Sequence, residues 1–214
     1  MSDLYWQTIS PAMRKVLHGF GQVPLADEFY LAGGTALALQ IGHRVSMDLD
    51  FFSATQDISS IAEPLRAALQ PFAPVLADSA WGNLVFVAEG IRVGFYGYGY
   101  ATVAPMVEAE GVKIANIADI ALMKLDALLS RASRKDFYDL YIICQSTHLR
   151  TLLDLAPQKY PSMRDFEAQV VRHLVYFDRA ERETPLTLLE PVEWETVKAW
   201  FRQQAIEIEK SWLL

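Results

Sequence analysis

Phe29-Tyr30-Leu31-Ala32-Gly33-Gly34-Thr35-Ala36-Leu37-Ala38-Leu39-Gln40-Ile41, followed after a short polar stretch by Asp48-Leu49-Asp50-Phe51-Phe52, decides the fold. The first four residues are apolar and are stopped by two glycines, which predicts a short buried strand. From Thr35 to Ile41 the pattern is helical. That helix begins at the glycines and ends at Gly42. In the second stretch acids alternate with apolar residues. Side chains two apart on a strand share a face, so Asp48 and Asp50 project together while Leu49 and Phe51 point into the core.

Outward from this stretch, Ser10-Pro11 predicts an N-cap with proline at the first helical position, opening a helix to about Phe20. A helix is expected from Ile58 to Leu69. Pro74 to Tyr100 is β-like, and Glu89-Gly90 joins strands over 83–88 and 91–96 as a hairpin. A brief strand is expected over 112–114. From Asn116 onward the pattern is helical. Leu122, Leu125 and Leu129 lie at i, i+3 and i+7, which predicts a buried stripe. Pro157, Pro161, Pro185 and Pro191 punctuate the later helices. The fold class is therefore α+β, with a mixed core over 1–115 and a helical part over 116–214. Nothing at that boundary has the composition of a linker.

Hydrophobic residues make up 52% of the 214-residue chain and charged residues 21%, enough to bury a core and to exclude general disorder. A net charge of −7 argues against a non-specific grip on nucleic acid, which needs many cations on phosphates, but leaves room for a local basic pocket. Cys144 is the single cysteine, so no internal disulfide can form, and a reducing, cytoplasmic setting is expected. It lies in an apolar run, 140–144, and reads as a buried structural residue. No apolar run approaches the ~20 residues that span a bilayer, and Met1-Ser2-Asp3 lacks the basic start of a signal peptide, so no membrane partner is expected.

Two clusters can carry chemistry. At Gly33-Gly34-Thr35 glycine allows a tight turn and a close ligand approach. The free N–H groups of the following helix favour an anion, and Thr35 adds a hydroxyl. A ligand-free strand-to-helix turn is the alternative. Asp48 and Asp50 repel each other unless a cation lies between them, and Mg²⁺ held by two carboxylates and substrate phosphates resolves this. A solvated strand edge, or pairing with Arg44, is the alternative; Arg44 can also touch a phosphate. His43 reads as a polar loop residue.

The second cluster begins with Asp119, four residues and Lys124, then Leu125, Ala127 and Arg131. Lys124 and Arg131 are seven apart and share a face beside the leucine stripe. Placed on its flank, they can offer their charges to a phosphate, so loss of Lys124 is expected to weaken phosphate binding more than the fold. An ordinary amphipathic helix is the alternative. Lys135-Asp136-Phe137-Tyr138-Asp139 opens the next helix. Acids are favoured near a helix start, and Asp136 and Asp139 can also orient Lys124 and Arg131 or act as a base. No nucleophile elbow, Walker loop or dinucleotide fingerprint is present.

Gly33-Gly34-Thr35, twelve residues, then Asp48-Leu49-Asp50-Phe51-Phe52 resembles the opening motif of the polymerase-β-like nucleotidyltransferases. The context from His43 to Phe52 is closer still to the AbiEii/AbiGii toxin family. That family also carries Asp-x4-Lys, Lys-Leu-x-Ala-x3-Arg and (Arg/Lys)-Asp-x-x-Asp, matched here from Asp119 to Asp139. Four motifs in order, spanning 33 to 141, carry the resemblance.

The resemblance implies a nucleotidyltransferase fold, a mixed sheet flanked by helices, with the helical C-terminal region completing the active site. It implies a nucleoside triphosphate (NTP) substrate, Mg²⁺ or Mn²⁺ on Asp48 and Asp50, and an RNA (tRNA) or protein acceptor. It also implies a toxin–antitoxin or phage-defence role with a separate antitoxin protein. Carried onto this sequence, the catalytic set is Asp48, Asp50, Lys124, Asp136 and Asp139. The nucleotide-binding set is Gly33, Gly34, Thr35, Arg44, Lys124, Arg131 and Lys135. Many nucleotidyltransferases add a third carboxylate on a later strand, where this chain has Gly94. Gly94 is expected to face the acids, leaving space and no charge. Two other readings follow from the same residues: a catalytically degenerate nucleotide- or partner-binding module, and a kinase-like phosphoryl transferase.

Overall fold

The computed structural model describes residues 4–55, 57–80 and 82–213. The chain divides into two units, residues 1–116 and 117–214. Among the described residues of the first unit, seven strands form one mixed sheet: β1 (Tyr30–Leu31), β2 (Asp48–Ser53), β3 (Val75–Ala80), β4 (Asn83–Ala88), β5 (Ile91–Gly97), β6 (Val107–Ala109) and β7 (Val112–Ile114), in the order β3-β4-β5-β2-β1-β7-β6. β2 is central. It runs parallel to β5 and antiparallel to β1, and β1 runs parallel to β7.

Helix α1 (Pro11–Gly21) starts as expected: the Ser10 side chain accepts from the Met13 N–H, and Pro11 fills the first position. Its buried Phe20 meets Phe51 of β2 at 4.6 Å between ring centroids, and Phe51 stacks on Phe95 of β5 at 5.4 Å. Aromatic pairs contribute about 0.5–1.5 kcal/mol each beyond area burial, so this cluster fixes the core side of β2. Helix α2 (Gly33–Ile41) follows β1 directly and stops at Gly42, whose φ of 71° is left-handed. The helix expected over 58–69 is split into a 3₁₀ turn (Ile58–Ile61) and α3 (Ala62–Ala68). Pro64 lacks an N–H and fits only a first turn, which sets the α-helical start at Ala62.

The expected hairpin is present, with Glu89 and Gly90 at φ 49° and 77°. Strand β6 was not expected. It pairs with β7 across Glu110-Gly111, at φ 54° and 78°, the same Glu-Gly turn used a second time.

The second unit contains α4 (Ile117–Ser130), α5 (Arg134–Ile143), α6 (Leu149–Lys159), α7 (Phe166–His173), α8 (Asp178–Arg182) and α9 (Trp194–Ser211). The stripe on α4 is broader than expected: 119–125 and Leu128 are buried, and Leu129 is only half-buried. Phe137 of α5 centres this unit, at 5.0 Å from Phe177 and 5.2 Å from Phe201. Pro157 lies inside α6 rather than ending it.

Candidate active site

Strand pairing builds the first cluster. The Ala32 N–H donates to the Asp50 carbonyl at 3.0 Å, which brings the start of α2 alongside β2. Gly33, at φ 69°, passes so close that a Cβ there would lie 3.4 Å from Asp50 Oδ2. A Cβ on Gly34 would collide with the Arg44 guanidinium. α2 begins without a side-chain cap, and uncapped N–H groups at a helix start favour an anion. Along β2 the alternation is as expected: Leu49 and Phe51 are fully buried, and Asp48 and Asp50 are half-buried on the opposite face.

Three details differ from expectation. The Thr35 hydroxyl is buried; it donates to the Asp48 carbonyl and shares a 2.7 Å hydrogen bond with Ser46. It therefore ties α2 to the start of β2 instead of pointing at a ligand. Arg44 is buried against Gly34 and donates to the Val45 carbonyl at 3.2 Å. Gly94 is the β5 neighbour of Asp50, as the parallel register requires, but the space beside it is filled. The ring of Tyr96 folds back over Gly94, and its hydroxyl donates to Asp50 Oδ1 at 3.3 Å. Burial, then the Asp50 charge, holds the Tyr96 phenol above its ordinary pKa, so it stays a donor.

Among the described residues no group of three or more His, Cys, Asp or Glu side chains is placed to hold a metal. The donors present are two hard carboxylates on one strand face. That set fits Mg²⁺ or Mn²⁺ bound jointly with phosphate oxygens.

The helical unit builds the second cluster. Lys124 Nζ of α4 donates to Asp136 Oδ1 at 2.9 Å and lies 2.6 Å from Asp139 Oδ2, and all three side chains are buried. Arg131 donates to both oxygens of Asp136, at 2.9 and 2.8 Å. Ser133, the N-cap of α5, donates its hydroxyl to Asp136 at 2.8 Å, and its backbone N–H donates to Asp136 Oδ2 at 3.3 Å as one half of a capping box. Burial alone would raise the Asp136 pKa. Lys124 and Arg131 outweigh it and hold the carboxyl well below the usual range, so Asp136 is a poor base near neutrality. Lys124 is thus not on a solvated flank; it is a buried lysine joining α4 to α5.

Asp119 pairs with Lys159 of α6, at 2.7 Å and fully buried, a partner that sequence spacing did not suggest. Arg134 is buried, donating to the Ala180 carbonyl at 2.9 Å. Cys144 is half-buried, its thiol pushed up to about 12 by burial. Arg131, Lys135 and Arg179 reach solvent and, with Glu183, line a surface cavity of about 560 Å³. Arg179 has no motif around it and was missed.

Over residues 15–81 and 87–205 the chain matches the family described as nucleotidyl transferase AbiEii toxin, type IV TA system. The chain belongs to the AbiEii nucleotidyltransferase toxin family. It is 34% identical over 210 residues to protein aq_aa25 of Aquifex aeolicus (strain VF5), covering 91% of this chain and 94% of that one. Its fold is similar to that of MenT4, the nucleotidyltransferase toxin Rv2826c of Mycobacterium tuberculosis H37Rv, with a TM-score of 0.54, 15% identity, and 91% and 82% of the two chains covered. A candidate nucleotidyltransferase from H. pylori is similar at a TM-score of 0.56, 19% identity, and 93% and 92% coverage. These neighbours carry the polymerase-β-like nucleotidyltransferase fold, the mixed sheet and helices described above. Within this AbiEii chain the first unit brings Gly33, Asp48 and Asp50 together. The helical unit brings Lys124, Arg131, Asp136 and Asp139 together.

Proposed function

We propose that this AbiEii enzyme transfers a nucleotide from an NTP to an RNA, such as tRNA, or to a protein acceptor, with Mg²⁺ or Mn²⁺ held by Asp48 and Asp50. In this reading it is a cytoplasmic toxin restrained by a separate antitoxin protein. The observation that carries the proposal is the pair of half-buried carboxylates on β2 beside the uncapped start of α2. A divalent ion bound there supplies charge neutralisation for in-line displacement.

The chain's own residues do the rest. Gly33 and Gly34 let the triphosphate approach the backbone N–H groups of α2, and Thr35 and Arg44 hold that turn against β2. The acceptor hydroxyl attacks the α-phosphorus, the new O–P bond replaces the bond to pyrophosphate, and the hydroxyl proton passes to solvent. Within the helical unit Lys124, Asp136 and Asp139 form a rigid frame, and Arg131 and Lys135 present cations to phosphate. The cationic cavity at Arg131, Lys135 and Arg179 suits an anionic acceptor despite the net charge of −7.

Incubation with α-labelled and γ-labelled NTPs, total RNA and cell protein tests the reading. Transfer of α-label to an acceptor is the expected result. Transfer of γ-label alone would make the chain a phosphoryl transferase, and no transfer would favour a degenerate binding module. Growth arrest on expression, relieved by a co-expressed neighbouring gene, tests the toxin role.

A further inference from the structure

Asp50 has one neighbour on each side in the sheet. On the β5 side the register places Gly94 beside it, with Phe52 and Tyr96 paired one step further along. Two residues along a parallel pair the side chains return to the same face, so Tyr96 rises from the face that carries Asp48 and Asp50. Its ring does not stand straight off the sheet. It lies back over Gly94, where any Cβ would overlap the phenol oxygen and the ring edge. One side of the ring stacks on Phe52 at 5.1 Å and 26°, and Phe52 in turn stacks on Tyr30 at 6.1 Å and 26°. The ring is therefore held by aromatic neighbours in one direction and admitted by a missing Cβ in the other. That leaves the hydroxyl at Asp50 Oδ1.

Resting on the reading of Asp48 and Asp50 as the metal-holding pair, we propose that Tyr96 is a positioning residue that fixes the Asp50 carboxylate for the divalent ion, and that Gly94 exists to admit its ring. A phenol donating to Oδ1 restricts rotation of the carboxylate and leaves Oδ2, on the Gly33 side, turned toward the start of α2. The phenol adds a neutral donor where a side chain on residue 94 would otherwise stand. The cluster therefore carries two negative charges, and the ion depends on phosphate oxygens to complete its shell. Ion binding is then weak alone and strengthens with nucleotide.

The test is titration of the full chain with Mn²⁺, followed by electron paramagnetic resonance, with and without a non-hydrolysable NTP analogue. Thermal unfolding is measured in parallel. Asp48→Asn reports on the metal reading itself and should abolish binding. Tyr96→Phe keeps the ring and its stacking and removes only the donor. It should unfold within a few degrees of wild type and bind Mn²⁺ with the analogue roughly three- to tenfold more weakly, the range one hydrogen bond supplies. Gly94→Ala pushes the phenol off Asp50 from the other side and should show the same loss of Mn²⁺ affinity while retaining the hydroxyl. The double variant Gly94→Asp with Tyr96→Ala puts a carboxylate into the vacated space. It should bind Mn²⁺ without nucleotide more tightly than wild type, and no gain would overturn the placement of the Gly94 space beside the two carboxylates. If Asp48→Asn binds as wild type does, the metal reading falls and the proposal with it. If Asp48→Asn loses binding while Tyr96→Phe and Gly94→Ala keep wild-type affinity, the metal reading stands and the role of Tyr96 is refuted.

Discussion

Replacing Lys124 with alanine separates a phosphate ligand from a structural lysine. Its ammonium lies 2.9 Å from Asp136 and 2.6 Å from Asp139, with side-chain exposures of 3%, 0% and 0%. Removing one member of a buried ionic group leaves its partners' charges desolvated and uncompensated, at a cost of about 3–5 kcal/mol. Asp136 keeps Arg131 and Ser133, and the α4–α5 contact loses the buried cation that both carboxylates share. For a chain of this size each kcal/mol moves the melting temperature by about 2–4 °C, so Lys124→Ala should melt roughly 6–20 °C lower. Far-UV circular dichroism measures the shift. Tryptophan fluorescence supports it, since Trp194 packs 5.8 Å from Phe137 of α5. Nucleotide affinity is measured well below the new transition. An unchanged melting temperature together with lost NTP binding would refute this reasoning and return Lys124 to the role expected from spacing alone.

The Asp136 carboxyl, depressed in the folded chain, ionises at about pH 4 when unfolded. Its contribution to stability is therefore complete above about pH 4 and is lost as the pH falls toward the folded value. Urea midpoints taken from neutral pH downward should fall less steeply below about pH 4 in Asp136→Asn than in wild type, and parallel slopes would contradict the depressed pKa. Asp48→Ala should abolish nucleotidyl transfer and leave the melting temperature unchanged or slightly raised, since the two carboxylates repel; retained transfer rules out the assigned role. Charge reversal at Arg179 should weaken acceptor binding at least tenfold with little change in NTP affinity, and equal losses would place the cavity at the nucleotide instead. Cys144, with its thiol pushed up to about 12, should react with a disulfide reagent far faster in urea than in the native chain.

The opening strand, the turn and the acidic strand were legible because each is governed by local rules. Alternation set the faces of Asp48 and Asp50, and glycine punctuation set the start of α2. The hairpin at Glu89-Gly90 was found, and the same dipeptide at Glu110-Gly111 held the signal for β6, a three-residue strand too short to show alternation. Helical spacing placed Lys124 and Arg131 near one another but did not distinguish a solvated flank from a buried seam. That distinction depends on α5 packing against α4, and on the capping box that turns Asp136 inward. The Asp119–Lys159 pair spans forty positions, and no local pattern links them.

The position of Gly94 shows most clearly where sequence reasoning stops. Alternation alone put a glycine on the acidic face and implied an opening there. Whether an opening exists depends on the rotamer of Tyr96, two residues on, and that rotamer is set by Phe52 across the strand pair. A glycine is read locally as absence, but in a packed sheet the space it leaves is available to a neighbour. Here the neighbour brings a hydroxyl to Asp50, so the residue that supplies no charge determines which polar group stands beside the carboxylates. The pair Gly94 and Tyr96 should therefore be altered and measured together, because a substitution at either one changes the same contact.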